Sequence, residues 1–193
     1  MATARGTGLL VVADGKRGDV PHTAAAYAAG LIGRLGADAV TVNPLPGVDS
    51  LEPWLEAAAA AGAGLFVLVR TSNPGAADIL DLIADGAPLH ERLAAVVAAE
   101  RRLDGDGGLS GMGAVIGATA PERLGRLREL MPRSIFLLPG VGAQGASAAE
   151  LGPALAGHPA SILVPVGRAI AVAADPAGAA EAVRDELWSL RRR

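Results

Sequence analysis

Short apolar runs alternate with longer stretches rich in alanine and leucine along the whole chain. The runs are rich in β-branched residues and are not interrupted by alternate polar positions, which is typical of strands covered on both faces of a parallel sheet. They are Leu9–Ala13, Ala39–Val42, Leu65–Val69, Ala114–Gly117, Ile135–Leu138 and Ile162–Val166. Six strands, each followed by a helical pattern, predict an α/β fold.

The stretches between these runs have the composition and periodicity of helices. Pro121 followed by Glu122 is typical of a helix start, and Pro53 fits the first turn of another helix. The predicted helices are Thr23–Leu35, Ser50–Ala61, Ala76–Ile83, Leu89–Leu103, Pro121–Met131, Ala148–Leu155 and Ala177–Arg191. Each predicted strand is therefore joined to the next by one or more helices.

The number of repeats indicates which α/β architecture the chain adopts. A (βα)₈ barrel of the TIM type takes about 250 residues, or about 31 per unit. The 193 residues correspond to about six such units. No change in composition divides the chain, so we expect one domain over residues 1–193, a TIM-barrel-like fold with about six βα units and thus an incomplete barrel.

Composition and charge exclude several classes of protein. With 51% hydrophobic and 19% charged residues, the chain is not disordered. A formal net charge of −3, without a Lys/Arg cluster in mid-chain, argues against nucleic-acid binding. Cysteine is absent, which excludes disulfides and thiolate metal sites. The apolar stretch Ala57–Val69 is too short to span a bilayer and no secretory signal is found, so we expect a cytoplasmic protein without a membrane partner.

Most of the distinctive polar residues follow directly after the predicted strands. In parallel α/β folds the carboxyl ends of the strands form the face that carries the active site. This placement indicates an enzyme more strongly than any single motif does. The residues are Asp14, Lys16 and Asp19 after the first run, Asn43 after the second, Thr71–Asn73 after the third, Thr119 after the fourth, Gln144 after the fifth and Arg168 after the sixth.

Lys16 is the only lysine among 17 basic residues, the other 16 being arginine. A lysine can give up a proton where an arginine cannot, so a single lysine at a strand end suggests proton chemistry. Asp14 and Lys16 lie two positions apart and would face the same side of an extended strand, and Asp19 follows across Gly18. A lysine between two carboxylates keeps its proton and can act as a donor. The alternative is a surface salt bridge at a helix start.

The segment Gly140–Gly145 matches G-x-G-x-x-G after a predicted strand, a pattern also found in dinucleotide sites. Only one more strand follows, and the residue at its end is Arg168 rather than an acid. Glycine N–H groups, a helix start and an arginine after the last two strands are typical of a phosphate site in a barrel. We therefore predict a phosphate monoester bound by Gln144 and Arg168; the alternative is a tight turn with a surface arginine.

The residues Thr71–Gly75 offer hydroxyl and amide groups that could bind the edge of a heterocycle, although a turn with a helix cap explains them equally well. His22, His90 and His158 do not have the spacing of metal ligands. We therefore predict no metal site.

Five segments occur in an order and at a spacing that resemble a known enzyme family. They are LLVVADGKRGDVPHTAAAYA, VTVNPLPGVDSLEPWL, VLVRTSNPGAADI, AVIGATAPERL and LLPGVGAQGAS, and the match extends over nearly the whole chain. Together they resemble the bacterial orotidine 5′-phosphate decarboxylases of the longer subtype. The Asp-x-Lys-x-x-Asp element alone is shared with sugar-phosphate relatives such as hexulose-phosphate synthases; its combination with TSNPG and PGVGAQG is more specific.

The resemblance implies a homodimeric (βα)₈ barrel with shared active sites, which converts orotidine monophosphate to UMP and CO₂ without a metal or organic cofactor. By this resemblance Lys16 protonates C6 of the pyrimidine as CO₂ leaves. Asp14 holds Lys16 and crowds the substrate carboxylate, while Asp19 and Thr23 reach into the site of the neighbouring subunit. Ser72 contacts the pyrimidine.

The resemblance also implies that Gln144 and Arg168 bind the substrate phosphate. This assignment agrees with the phosphate site predicted above from the residues alone, because phosphate binding remote from the reacting bond can lower the barrier.

The chain departs from the family pattern at several points. It begins just before what resembles the third strand of the family, so we expect it to lack two βα units, with a substrate-binding Asp and a Lys of the charged network. Three local departures are Gly15 in place of Ala, Leu45-Pro46 in place of an aromatic-containing pair, and Gly167 in place of Ser. Two other functions stay open: a sugar-phosphate lyase or synthase of the same superfamily, and a non-catalytic remnant that binds nucleotide.

Overall fold

The computed structural model describes residues 2–141, 148–156 and 161–190. Its strands are β1 (Val12–Arg17), β2 (Ala39–Val42), β3 (Gly64–Arg70), β4 (Ile83–Ala84), β5 (Ala87–Pro88), β6 (Ser110–Ile116), β7 (Ser134–Leu137) and β8 (Ile162–Leu163). Six of them form one parallel sheet in the order β1-β2-β3-β6-β7-β8, and β4 and β5 form a separate antiparallel hairpin.

Helical segments connect the strands of the parallel sheet. The α-helices are α1 (Ala2–Gly6), α2 (Pro21–Ala28), α3 (Glu52–Ala61), α4 (Ala76–Leu80), α5 (Leu89–Ala99), α6 (Pro121–Leu130), α7 (Arg168–Ala171) and α8 (Pro176–Ser189). The helix α2 continues as a π-helix over Ala29–Arg34, and 3₁₀ turns form Val48–Leu51 and Ala148–Leu155. No helix in the described ranges has both the length and the apolar character needed to cross a lipid bilayer.

The strands of the parallel sheet follow one another in chain order, which distinguishes a barrel from a doubly wound open sheet. In a doubly wound sheet the strand order reverses at a switch point, whereas in a (βα) barrel each strand is added next to the previous one. The six described strands show the barrel order and form a curled half-barrel with β1 and β8 at its edges. The predicted α/β fold, TIM-barrel-like with six βα units, is confirmed.

Alternate residues of the central strand β3 point to the two faces of the sheet. Leu65 and Val67 are buried in the main core, where the sheet packs against the helices and where Trp54 is also fully buried. Phe66 belongs to a smaller cluster with Val115 on the concave face. The apolar runs therefore lack a polar alternation because both faces of these strands are covered.

The first strand begins three residues later than the apolar pattern predicts. Leu9 and Leu10 are 63% and 84% exposed and precede β1, which instead extends through Asp14 and Lys16 to Arg17. Pairing with β2 starts at Val12, next to the backbone hydrogen bonds that the Val11 carbonyl accepts from the N–H groups of Asp38 and Ala39. The strand thus begins where the neighbouring strand supplies hydrogen-bond partners. The apolar pattern of the sequence does not show where that is.

The hairpin β4–β5 was not predicted. The predicted helix Ala76–Ile83 ends at Leu80, and the chain then turns at Asp85 and Gly86, whose φ angles are +48° and +82°. Two central residues with positive φ are typical of the tight turn that Asp-Gly favours in hairpins. The Asp-Gly pair was the available signal for this turn.

The guanidinium of Arg128 is buried between α6 and the edge of the sheet, with 3% of the residue exposed. It donates hydrogen bonds to four backbone carbonyls, those of Met131 (3.0 Å), Ser134 (2.7 Å), Ala154 (2.8 Å) and Ser161 (3.2 Å). The guanidinium also lies 3.7 Å from the ring centroid of Phe136. Burial lowers the pKa of Arg128 to about 10. The side chain thereby joins the segments before β7 and β8.

Replacement of this buried guanidinium should destabilise the fold. We expect Arg128→Met to lower the free energy of unfolding by about 3 kcal/mol or more, because buried carbonyls lose their donors. Urea-induced unfolding followed by circular dichroism measures the change. The matched control is Arg126→Met two residues earlier, where the arginine is exposed and pairs with Glu91 and Glu129. Equal stability of the two variants would contradict the structural role of Arg128.

Candidate active site

The strand β1 contains a bulge at the position of the predicted Asp-Lys pair. Ala13 pairs with Val40 and Arg17 with Val42, so the three residues between Ala13 and Arg17 lie opposite Thr41 alone. Lys16 has a φ of +47°, in the left-handed region that residues with a side chain rarely adopt. The bulge and this backbone conformation set the direction of the Asp14 and Lys16 side chains.

Lys16 and Asp14 form a close ion pair at the carboxyl end of β1. The Nζ of Lys16 lies 2.5 Å from both carboxylate oxygens of Asp14, and the two side chains are 44% and 56% exposed. Partial burial raises the pKa of Asp14, but hydrogen bonds from Lys16 and Thr41 and the charge of Lys16 outweigh it and keep the pKa below its usual value. The pair therefore presents a positive donor and a negative acceptor side by side.

Thr41 on β2 completes this pair and was not among the predicted site residues. Its hydroxyl donates to Asp14 Oδ1 (2.8 Å) and accepts from the backbone N–H of Lys16 (2.9 Å). Thr41 is fully buried. In the sequence it is one residue of an apolar strand run, and no local pattern marks it as different from a core threonine.

Asp19 lies in the segment between β1 and α2, and Thr23 lies in the first turn of α2. Asp19 Oδ1 accepts a hydrogen bond from the N–H of Val20 (2.8 Å), and Thr23 Oγ1 lies 3.2 Å from His22 Nε2. Within the described part of one chain, the carboxylate that Lys16 contacts is that of Asp14. Lys16 and Asp14 thus form the described ion pair. A contact between Asp19 and the lysine of a partner copy stays a prediction.

Gly18 lies between Lys16 and Asp19, at a position where a side chain would clash with the residue that follows β2. A Cβ on this glycine would lie 2.5 Å from the backbone oxygen of Asn43 and 2.8 Å from its Cβ. The glycine thus allows the segment after β1 to pass against the end of β2.

Ser72 follows β3 in a loop that is held from several sides. Thr119 Oγ1 donates to the carbonyl of Ser72 (3.0 Å), and Arg70 Nη1 donates to that of Thr71 (2.9 Å). Arg70 also makes a two-point contact with the Asp81 carboxylate (3.1 and 3.2 Å). The hydrogen bond from Arg70 lowers the pKa of Asp81 despite burial, and further cations add to this effect. Ser72 is consequently placed by fixed neighbours.

Residues at or after the ends of several strands line one cavity of about 690 Å³. Asp14, Lys16 and Ser72 line it with Asn73, and apolar side chains of the sheet form its walls. Val12 of β1 and Leu163 of β8 both line it, so the curl of the sheet carries the two edge strands to the same cavity. The volume is in the range of small-molecule sites.

Of the two side chains predicted to bind phosphate, Arg168 is in the described part of the chain. Gln144 lies outside the described residues, as do Gly142 and Gly145 of the glycine motif. Arg168 is exposed and begins α7, the helix that follows β8. Val164 and Pro165, which precede it, line the cavity. Arg168 therefore belongs to the same edge of the sheet as Lys16 and Ser72.

No group of three or more metal-binding side chains lies close enough to hold an ion in the part of the chain that the structure describes. The arrangement around the cavity is suited to proton transfer and charge stabilisation. An amine with its proton directed by a carboxylate lies beside a polar loop that can orient a substrate.

Comparison with known proteins agrees with this arrangement. Residues 1–183 match the model of the family described as "Orotidine 5'-phosphate decarboxylase / HUMPS family". The orotidine 5′-phosphate decarboxylase of Rhodopirellula baltica is 43% identical, with 94% of this chain and 66% of the relative covered. That of Deinococcus radiodurans is 44% identical, with 96% and 70% covered. The chain thus spans about two thirds of the length of these relatives.

Solved structures show the same fold. The orotidine 5′-monophosphate decarboxylase of Methanocaldococcus jannaschii, complexed with the inhibitor BMP, superimposes with a TM-score of 0.77 at 26% identity. The match covers 96% of this chain and 77% of that structure.

The close packing of Gly117 against the Ser72 loop leads to a stability prediction. A Cβ on Gly117 would lie 2.5 Å from Ser72 Cα and 2.7 Å from its backbone nitrogen. We expect Gly117→Ala to lower the free energy of unfolding by about 1–3 kcal/mol, because the loop backbone has to move. Urea-induced unfolding measures this change in the free energy of unfolding. Gly33→Ala, where a Cβ meets nothing within 4 Å, is the control, and an equally small effect at both positions would refute the packing argument.

Proposed function

The chain belongs to the orotidine 5′-phosphate decarboxylase / HUMPS family, and we propose that it converts orotidine 5′-monophosphate to UMP and CO₂. The observation that carries the proposal is the ion pair of Lys16 and Asp14 in a cavity shared with Ser72. The named relatives are decarboxylases, which favours this reaction over a sugar-phosphate lyase or synthase. We propose a cytoplasmic role in pyrimidine biosynthesis, since substrate and product are soluble nucleotides.

The reaction needs one proton donor and a means to favour loss of CO₂. The bond between C6 and the carboxylate carbon breaks, its electron pair stays on C6, and a proton from Lys16 Nζ forms the new C6–H bond. The amine then regains a proton from solvent. Asp14 directs the ammonium and repels the substrate carboxylate, a repulsion that is relieved as neutral CO₂ departs. No metal or organic cofactor takes part in this scheme.

Groups remote from C6 supply the binding energy in this proposal. Ser72 hydrogen-bonds the pyrimidine, and Gln144 and Arg168 bind the phosphate. Binding energy from the phosphate can be used to hold the substrate carboxylate against Asp14, which raises the rate rather than the affinity alone. The exposed position of Arg168 after β8 supports this role, because the guanidinium is accessible to a ligand.

We further propose that two copies of the chain form a homodimer with shared active sites. Asp19 and Thr23 would then complete the charged site of the partner copy rather than their own. Two contacts within one chain support this arrangement: the described ion pair of Lys16 is with Asp14, and the described hydrogen bond of Asp19 is with the N–H of Val20.

Removal of the lysine amine tests the proposed reaction directly. The purified chain should decarboxylate orotidine monophosphate, measured as loss of pyrimidine absorbance, whereas Lys16→Ala should show no measurable turnover. UMP binding, measured by calorimetry, should persist because the phosphate contacts remain. Turnover by Lys16→Ala would remove this residue as the proton donor.

The matched control for this variant is Arg17→Ala. It removes one positive charge from the next position in the chain, where the guanidinium lies 5.6 Å from the ring centroid of Tyr27 and does not line the cavity. Its turnover should remain close to that of the original chain. UMP binding by the original chain without any turnover at high protein concentration would favour a non-catalytic nucleotide-binding protein.

The shared site can be tested by mixing two inactive variants. Lys16→Ala and Asp19→Ala should each be inactive alone, because each destroys both sites of its own homodimer. Random pairing should restore about a quarter of the original activity, since half of the dimers are mixed and each contains one intact site. Steady-state decarboxylation after co-refolding measures the recovery. Failure of the mixture to regain activity would place Asp19 outside the partner's site.

A further inference from the structure

The backbone conformation of Lys16 requires support that its own residue type does not provide. Its φ of +47° is unfavourable for a residue with a Cβ. The bulge also removes Lys16 from the regular ladder, because three residues of β1 lie opposite the single residue Thr41. A backbone N–H inside such a bulge needs a hydrogen-bond acceptor other than the next ladder carbonyl.

Thr41 supplies this acceptor with its side chain. Its hydroxyl oxygen accepts from the Lys16 N–H at 2.9 Å, while its hydroxyl proton is donated to Asp14 Oδ1 at 2.8 Å. A hydroxyl has one donor and two acceptor sites, so both bonds form together. The backbone of one member of the ion pair is therefore linked through one oxygen to the carboxylate of the other.

The position of Thr41 makes this link rigid. The residue is fully buried in the middle of β2, and its branched side chain has few rotamers in a strand. Thr41 does not line the cavity, so it lies behind Asp14 and Lys16 as seen from the substrate side. Its described hydrogen bonds connect it to the cavity through these two residues.

We propose that Thr41 is a positioning residue for the decarboxylation, which holds the bulge of β1 so that the Lys16 ammonium and Asp14 carboxylate point together into the cavity. This inference rests on the proposed function. Because proton transfer to C6 depends on the direction of the amine, loss of the hydroxyl should affect the chemical step more than nucleotide binding. A buried threonine that only fills the core would instead affect stability.

The test compares three variants of the full chain. Thr41→Val keeps the branched shape without the hydroxyl, and Thr41→Ser keeps the hydroxyl. We expect Thr41→Val to lower kcat by about 100-fold while the Kd for UMP changes by less than about twofold. Thr41→Ser should retain kcat within about threefold of the original. Ser50→Ala, which removes another buried hydroxyl that donates to the Gly47 carbonyl, should leave kcat unchanged.

Two outcomes would overturn the proposal. One is an unchanged kcat in Thr41→Val, and the other is a kcat in Thr41→Ser as low as that of Thr41→Val. If valine at this position prevents folding, Thr41→Ala and Thr41→Ser replace the comparison, since both are smaller than threonine and differ by one hydroxyl. The serine variant is then expected to have a kcat at least about tenfold higher, and equal values would refute the role.

A second measurement separates this proposal from the proposed function. Hydrogen exchange of the Lys16 amide, followed by NMR, should be slow in the original chain and in Thr41→Ser but faster in Thr41→Val. Equal exchange in all three would overturn the link between Thr41 and the bulge, whether or not the chain has activity. If the original chain has no turnover although the Lys16 amide is protected, the proposed function fails while the link itself stands.

Discussion

Parallel pairing of six strands in chain order is the constraint on which the candidate site depends. It places the carboxyl ends of all six strands at one edge of the sheet. Lys16, Ser72 and Arg168 are separated by long stretches of sequence and by several helices, yet each follows or ends a strand of this sheet. The curl of the sheet then brings both edge strands to one cavity. The site is therefore a consequence of topology before it is a consequence of any motif.

The sequence predicted the strands and the position of the candidate site, because each of these follows from a residue pattern that is typical of a single structure. Uninterrupted apolar runs predicted all six parallel strands, and polar residues after them predicted the edge at which the candidate site lies. The start of β1 and the hairpin Ile83–Pro88 were missed, because short apolar segments form strands only where a partner supplies hydrogen bonds. The spacing of Asp14 and Lys16 predicted that they share one side, but not that a bulge and a left-handed residue achieve it.

Buried polar residues were the part of the structure least visible in the sequence. Arg128 occurs in a helix with two other arginines, and its partners are four backbone carbonyls. Thr41 occurs in an apolar strand, and its partners belong to the neighbouring strand. In both cases the residue type is ordinary and the environment is created by the tertiary fold. Only the assembled structure distinguishes Arg128 from the exposed Arg126, or Thr41 from a threonine that merely fills the core.

The contrast between the single lysine and the arginines follows from what each cation can do. Arg128 uses its planar group to bind several carbonyls at once, and Arg70 binds both oxygens of Asp81. Such multipoint contacts suit a rigid guanidinium that keeps its proton. Lys16 makes a compact contact with one carboxylate in the lining of a cavity, and in the proposed reaction its amine donates a proton and regains one from solvent. An arginine at this position would keep the charge and lose the chemistry, so the residue that the composition sets apart is also the residue on which the proposed reaction depends.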